Sequence, residues 1–135
     1  MTIKQRQRYF AMAKNASKMS DYTRCQHGTV VVYKGKIIGA GYNCCKSHPI
    51  QRAYNIERFT GDSNPHSLHA EIHALYPLMA ADIDWSKVCV FNYRQKRTGE
   101  LGMSRPCASC MRMLKDLGVH HIYYTTDDGY AEETI

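Results

Sequence analysis

The sequence predicts an α/β domain in which a central sheet carries helices on its faces. Segments with apolar residues at three- and four-residue steps alternate with short β-branched or aromatic runs, in the order α-β-β-α-β-α-β. The 135 residues contain no long polar or Pro/Gly-rich tract, so 1–135 reads as a single domain. Hydrophobic content of 44% and charged content of 22% suit a chain that buries a core without disulfide staples.

Each element has its own justification. Residues 5–18 place Tyr9, Ala13 and Ala16 on one side, which predicts an amphipathic first helix. The β-branched run GTVVVY (28–33), the turn Lys34-Gly35 and the run KIIGAGY form a hairpin. Residues 43–65 hold Pro49, Gly61 and Pro65 without a clear period and read as a long loop, a kind that is usually functional in a compact domain. Leu68, Ile72, Leu75 and Met79 predict a second helix over 67–81, which Pro77 kinks or shortens. KVCVFNY (87–93) is a third strand, and a polar loop follows from Arg94 to Ser104. Pro106 opens a third helix, CASCMRMLKDLG, which Gly118 closes. HHIYYTT is a fourth strand, and YAEETI is either a short fifth strand or a frayed end, so the sheet has four to five strands.

Composition narrows the function classes. No apolar run approaches 18 residues, so no membrane partner is expected. The N-terminal stretch lacks the unbroken apolar core of a secretory signal and fits better as a first helix than as a transit peptide; a cytoplasmic setting is expected. The net charge of +6 gathers in Lys4 to Arg24 and in Arg94, Lys96 and Arg97. Such a face suits a phosphate-bearing substrate or a nucleic acid, and equally the solvated side of a helix. Six cysteines without a secretory signal point to metal or catalysis rather than disulfides.

The densest chemistry lies in HSLHAEIHALY (66–76), where His66, His69 and His73 fall within eight positions, and in the pair Cys107-x-x-Cys110. His69 begins the second predicted helix and the two cysteines begin the third, three residues apart and so on one face. A helix N-terminus offers partial positive charge and unpaired N–H groups, which favour thiolates. Two thiolates and one imidazole leave a tetrahedral Zn²⁺ one open position, as in catalytic sites. Glu71 would project beside such a metal, where a carboxylate can shuttle protons. His-Ala-Glu followed by Pro-Cys-x-x-Cys is the spacing of the zinc nucleobase deaminases.

Rival readings stay open on the residues alone. The glutamate lies two places after His69, so the H-E-x-x-H protease motif is not met with His73. A structural four-ligand zinc would recruit Cys44, Cys45 or Cys25, and inert buried thiols are the blandest choice. His73 is expected to pack against core or sheet and His66 to precede the helix in a loop.

Three stretches together carry a family likeness: HGTVVVYKGKIIGAGYN (27–43), HAE (69–71) and RPCASC (105–110) running on to HHIYY. On these the sequence resembles the zinc-dependent cytidine/deoxycytidylate deaminase superfamily, and most of all its deoxycytidylate (dCMP) branch. The resemblance implies a three-layer α-β-α, cytidine-deaminase-like fold, with the zinc-bearing helices on one face of a central mixed sheet. It implies one catalytic Zn²⁺ per chain on His69, Cys107 and Cys110, with Glu71 as the proton shuttle. It implies substrate contacts at Asn43, Ala70, Thr126 and Asp127. A structural zinc found in some relatives has candidate ligands here in Cys25, His27, Cys44, Cys45 and His48. Arg24 and Arg97 are the candidate phosphate contacts.

The expected reaction is hydrolytic deamination of a cytosine-containing nucleotide, dCMP to dUMP with release of ammonia, in a homo-oligomer. The alternatives are a deaminase acting on a base in single-stranded DNA or RNA, and a zinc-binding module without catalysis. The sequence departs from the dCMP branch after GYN, where Cys44, Cys45 and then SHP replace a Gly and Pro-x-Gly turn.

Overall fold

A computed structural model describes residues 1–55 and 67–135. His66 lies outside the described residues. The elements run α1 (Ile3–Ser17), β1 (Cys25–Tyr33), β2 (Lys36–Tyr42), α2 (Pro49–Asn55), α3 (Ala70–Leu75), β3 (Val88–Lys96), α4 (Ala108–Leu117), β4 (His121–Thr125) and β5 (Tyr130–Thr134). Five strands form one mixed sheet in the order β2-β1-β3-β4-β5. Only the β3–β4 pair is parallel, joined by the α4 crossover. The segment YAEETI resolves as the fifth strand, antiparallel to β4.

Two cores lie on opposite faces of the sheet. On one, α1 lays Tyr9, Phe10 and Ala13 against Val30, Val32, Phe91 and Tyr123. On the other, Ile72 and Leu75 of α3 and Met113 and Leu114 of α4 pack on Val31, Val90 and Ile122. Successive valines of β1 point to opposite faces, and both faces are covered. That is why VVV reads as an unbroken apolar run rather than an alternation. Each such large side chain contributes roughly 1.5–3 kcal/mol on burial.

Local chemistry sets the ends of the elements. Thr2 caps α1 in a reciprocal box, its hydroxyl accepting from Gln5 N–H at 3.1 Å while Gln5 Oε1 accepts from Thr2 N–H at 2.9 Å. Lys34 and Gly35, both at positive φ, make the hairpin turn. Gly118 adopts the left-handed conformation (φ 96°) and ends α4. Gly28 is needed for a different reason. A Cβ there would sit 2.0 Å from the Ala13 carbonyl oxygen, because α1 crosses β1 at that point. Gly41 gives α3 the same close approach on the opposite face, with Ala74 N at 2.5 Å from such a Cβ.

Two expectations change, and Pro77 shortens its helix as expected. The stretch 43–65 contains a helix, α2, whose seven residues give too few turns for a visible period. The helix expected over 67–81 is regular only through Leu75 and tightens to a 3₁₀ turn at Tyr76–Leu78, which holds Pro77. The loop expected from Arg94 begins later, since β3 runs to Lys96 paired with Cys25 of β1. Its polar end, Arg94 to Lys96, carries no apolar side chains and so gives no strand signal in the sequence.

Candidate metal centre and cavity

The N-termini of α3 and α4 meet on one face of the sheet. His69 is the N-cap residue of α3 and Cys107 that of α4, both in extended backbone with no side-chain cap bond. Their side chains are turned instead toward each other. His69 Nδ1 lies 3.4 Å from Cys107 Sγ and 3.3 Å from Cys110 Sγ. All three candidate ligand atoms fall within 4.8 Å of one another. A tetrahedral zinc with bonds of about 2.3 Å to sulfur and about 2.0 Å to nitrogen would set such S···N edges near 3.6 Å. The donor set and its spacing fit zinc.

Electrostatics favour the same conclusion. A hydrogen bond from Cys110 holds the Cys107 thiol down at about 3, with His69 adding to the effect. That shared hydrogen bond and full burial push Cys110 well up. A divalent cation held between the two sulfurs would let both ionise.

Glu71, in the first turn of α3, is 6% exposed and lines a cavity with His69 and Cys107. Burial pushes its carboxyl above the ordinary glutamate value, and the Cys107 thiolate adds to the rise. The cavity has a volume of about 390 Å³ and, besides His69, Glu71 and Cys107, its walls include Tyr22, Cys25, His27, Asn43, Leu68, Ser104 and Arg105. That is enough for a drug- or nucleotide-sized guest.

Asn43 borders the cavity and ties its wall together. Its Oδ1 accepts from His27 N–H at 2.8 Å, and its Nδ2 donates to the Cys25 carbonyl at 2.9 Å. A second amide proton and lone pair remain for a ligand. Ala70 is buried at the first position of α3 and is not among the lining residues. Thr126 and Asp127 also lie outside the lining. Thr126 N–H bonds the Gly129 carbonyl at 2.7 Å, and Asp127 pairs with Lys96 at 3.3 Å. Arg24 and Arg97 are exposed and do not border the cavity.

The five candidates for a second metal do not assemble. Among the described residues, His69, Cys107 and Cys110 are the only His/Cys/Asp/Glu group of three or more with ligand atoms so close. Cys25 Sγ and His27 Nε2 are 3.0 Å apart in the cavity wall. Cys44 and His48 border a separate cleft beyond Leu68, and Cys45 is exposed. The ring of His48 rests on that of Tyr76, centroids 4.4 Å apart. His73, as expected, packs on the sheet, its Nδ1 accepting from Tyr42 N–H at 3.1 Å and its ring edge-on to Tyr42.

Three contributors were not foreseen. Ser104 belongs to a buried network in which it donates to the Asn92 carbonyl at 3.0 Å and accepts from Thr125 N–H at 2.8 Å. Thr29 donates to Asn92 Oδ1 at 2.7 Å and completes the tie to β1. This network fixes the approach to Pro106 and Cys107, and a lone buried polar residue in a strand gave the only hint of it. Arg105 borders the cavity with its guanidinium held by Glu133 at 2.9 Å on two nitrogens. Gln51 of α2, fully buried, accepts from His69 N–H at 2.9 Å, and no apolar period marked it.

His27 carries a pH consequence. Burial, then the Arg94 and His69 charges, pull its imidazole from 6.5 down to about 4. The folded chain therefore favours neutral His27, so stability is full above 6.5 and drains as pH falls toward 4. The loss from this group is about 2 kcal/mol between pH 7 and 5. Urea unfolding at saturating zinc should show that much less acid sensitivity in His27→Gln than in the parent; equal slopes would contradict the assignment.

The fold is shared with solved deaminases. The dCMP deaminase of cyanophage S-TIM5 superposes with a TM-score of 0.66 at 24% identity, over 93% of this chain and 86% of that one. Its form in complex with dCMP and dUMP gives the same TM-score and identity, over 93% of this chain and 84% of that one. The cytidine deaminase of Burkholderia pseudomallei gives 0.61 at 18% identity, over 99% and 93%. No curated protein shows a significant sequence match. The model of the cytidine and deoxycytidylate deaminase zinc-binding region matches residues 3–126, and the chain belongs to that family of hydrolases acting on C–N bonds.

Proposed function

We propose that this chain hydrolytically deaminates a free cytosine deoxynucleotide, dCMP to dUMP, with one zinc held by His69, Cys107 and Cys110. One observation carries the reading: His69 and Cys107 of the His/Cys/Cys group line a single cavity together with the buried Glu71. Zinc bound there supplies the acidity that makes water a nucleophile near neutral pH. Glu71 receives the proton that the water gives up as its oxygen attacks C4, and delivers it to ring N3. The same carboxyl then takes the second proton from the hydroxyl now on C4 and passes it to the amine; C4=O forms as the C4–N bond breaks, and ammonia leaves. Burial keeps Glu71 in a medium where its proton affinity is high enough for both transfers. Asn43, with amide capacity left over, borders the same cavity and would contact the substrate there. The solved complex of the phage dCMP deaminase with dCMP and dUMP supports a nucleotide as the guest.

The test is a single panel of zinc-loaded protein with dCMP, CMP, dCTP, deoxycytidine and a cytosine-bearing single strand, scored by ammonia release. The largest kcat/KM is expected for dCMP. A preference for the strand would replace the substrate assignment, and silence on every substrate would leave a zinc-binding module. No described helix is long and apolar enough to cross a membrane.

A further inference from the structure

We propose that Gln51 is a positioning residue for the zinc centre, holding His69 in its ligating orientation from behind. The inference rests on the reading of His69 as a zinc ligand.

An N-cap residue ordinarily spends its side chain on the exposed N–H groups of its own helix. His69 does not, because its imidazole faces the two sulfurs. The backbone that aims this ring must then be fixed by other parts of the chain. Leu68 is clamped by a two-bond bridge to Cys44, at 3.0 and 2.8 Å. The His69 N–H, one residue on, is taken by Gln51 Oε1 at 2.9 Å.

The Gln51 amide is itself oriented. Its Nε2 donates to Asn55 Oδ1 at 2.8 Å, so the amide presents its oxygen, not its nitrogen, to His69. The side chain is fully buried, where water cannot substitute for it. A glutamine in this setting has no packing advantage over leucine or methionine, since its polar end must be desolvated. Its hydrogen bonds explain its presence. The helix that carries it packs on α4, whose first turn bears Cys107 and Cys110. Through Gln51, the helix that packs on the sulfur-bearing element is tied to the backbone bearing the imidazole.

The test compares zinc affinity, by competition with a chromophoric chelator, in Gln51→Met, Gln51→Glu and Asn55→Ala. Methionine keeps the volume and loses the acceptor, and zinc affinity should fall about 10- to 100-fold, the usual range for groups that orient a ligand from behind. Glutamate keeps an acceptor toward His69 and should restore most of the affinity. Asn55→Ala frees the amide to turn without emptying the core, so a smaller loss is expected even if Gln51→Met folds poorly. The d–d spectrum of the cobalt-loaded protein should change in Gln51→Met and stay near the parent in Gln51→Glu. Parental zinc affinity in both Gln51→Met and Asn55→Ala overturns the proposal. So does a Gln51→Glu variant as weak as Gln51→Met, which would leave only packing. None of these readouts uses turnover, so the proposal and the deaminase assignment can fail separately.

Discussion

Glu71→Gln should retain its zinc and lose turnover by about 10²- to 10⁴-fold, the usual contribution of a positioned acid–base group. The amide fills the same buried volume, so packing around Ile72 and Leu75 is kept. Zinc is kept because Glu71 is not one of the three grouped ligands. What disappears is the carboxyl to which the proposed mechanism assigns the proton transfers. The acid limb of kcat/KM in the parent should lie above the ordinary glutamate value of 4.5, because burial raises this carboxyl and the base must be ionised to start. Activity then falls as pH drops through the raised value. Zinc content by elemental analysis and the pH–rate profile check both halves. Parental turnover in Glu71→Gln would sink the mechanism.

Cys110→Ser should release the metal and with it all deamination above background. Cys110 is fully buried and its sulfur sits 3.3 Å from His69 Nδ1, so no other donor among the grouped residues can replace it. A buried hydroxyl is a far weaker zinc ligand than a thiolate. The parent chain should gain stability from added zinc by mass action, about 4 kcal/mol at a thousandfold excess over Kd. For a domain of this size that is a rise of roughly 10–20 °C in Tm. Cys110→Ser should show almost none of it. A melting curve with and without zinc, beside the metal content after dialysis, decides the matter. A variant that still binds stoichiometric zinc would disqualify Cys110 as a ligand.

Much of the fold was legible because its signals are local. The hairpin announces itself in a β-branched run and Lys34-Gly35, and α4 in the apolar spacing of Met111, Met113 and Leu114 with Gly118 behind it. What failed to show was short or polar. Helix α2 is seven residues with only Gln51 fully buried, and β3 ends in Arg94, Gln95 and Lys96. The family resemblance points to Thr126 and Asp127 and the basic charge to Arg24 and Arg97, yet none of the four is among the residues lining the cavity.

The residue types available to the site were set by the sequence alone. Histidine two places before glutamate, and two cysteines three apart after a proline, offer donors for a borderline metal and a proton carrier, while a structural zinc or inert thiols stay open on the residues alone. The convergence of these residues was not set there. It required α3 and α4 to pack on the same face of a sheet whose glycines at 28 and 41 admit helices on both sides. The exclusion of Cys44, Cys45 and His48 from the centre was likewise a tertiary outcome. The Cys44–Leu68 bridge leaves Cys44 and His48 bordering a cleft beyond Leu68. Gln51 illustrates the difference best. Its chemistry is ordinary in sequence, and only burial against His69, where no water can compete, turns one amide oxygen into part of the site.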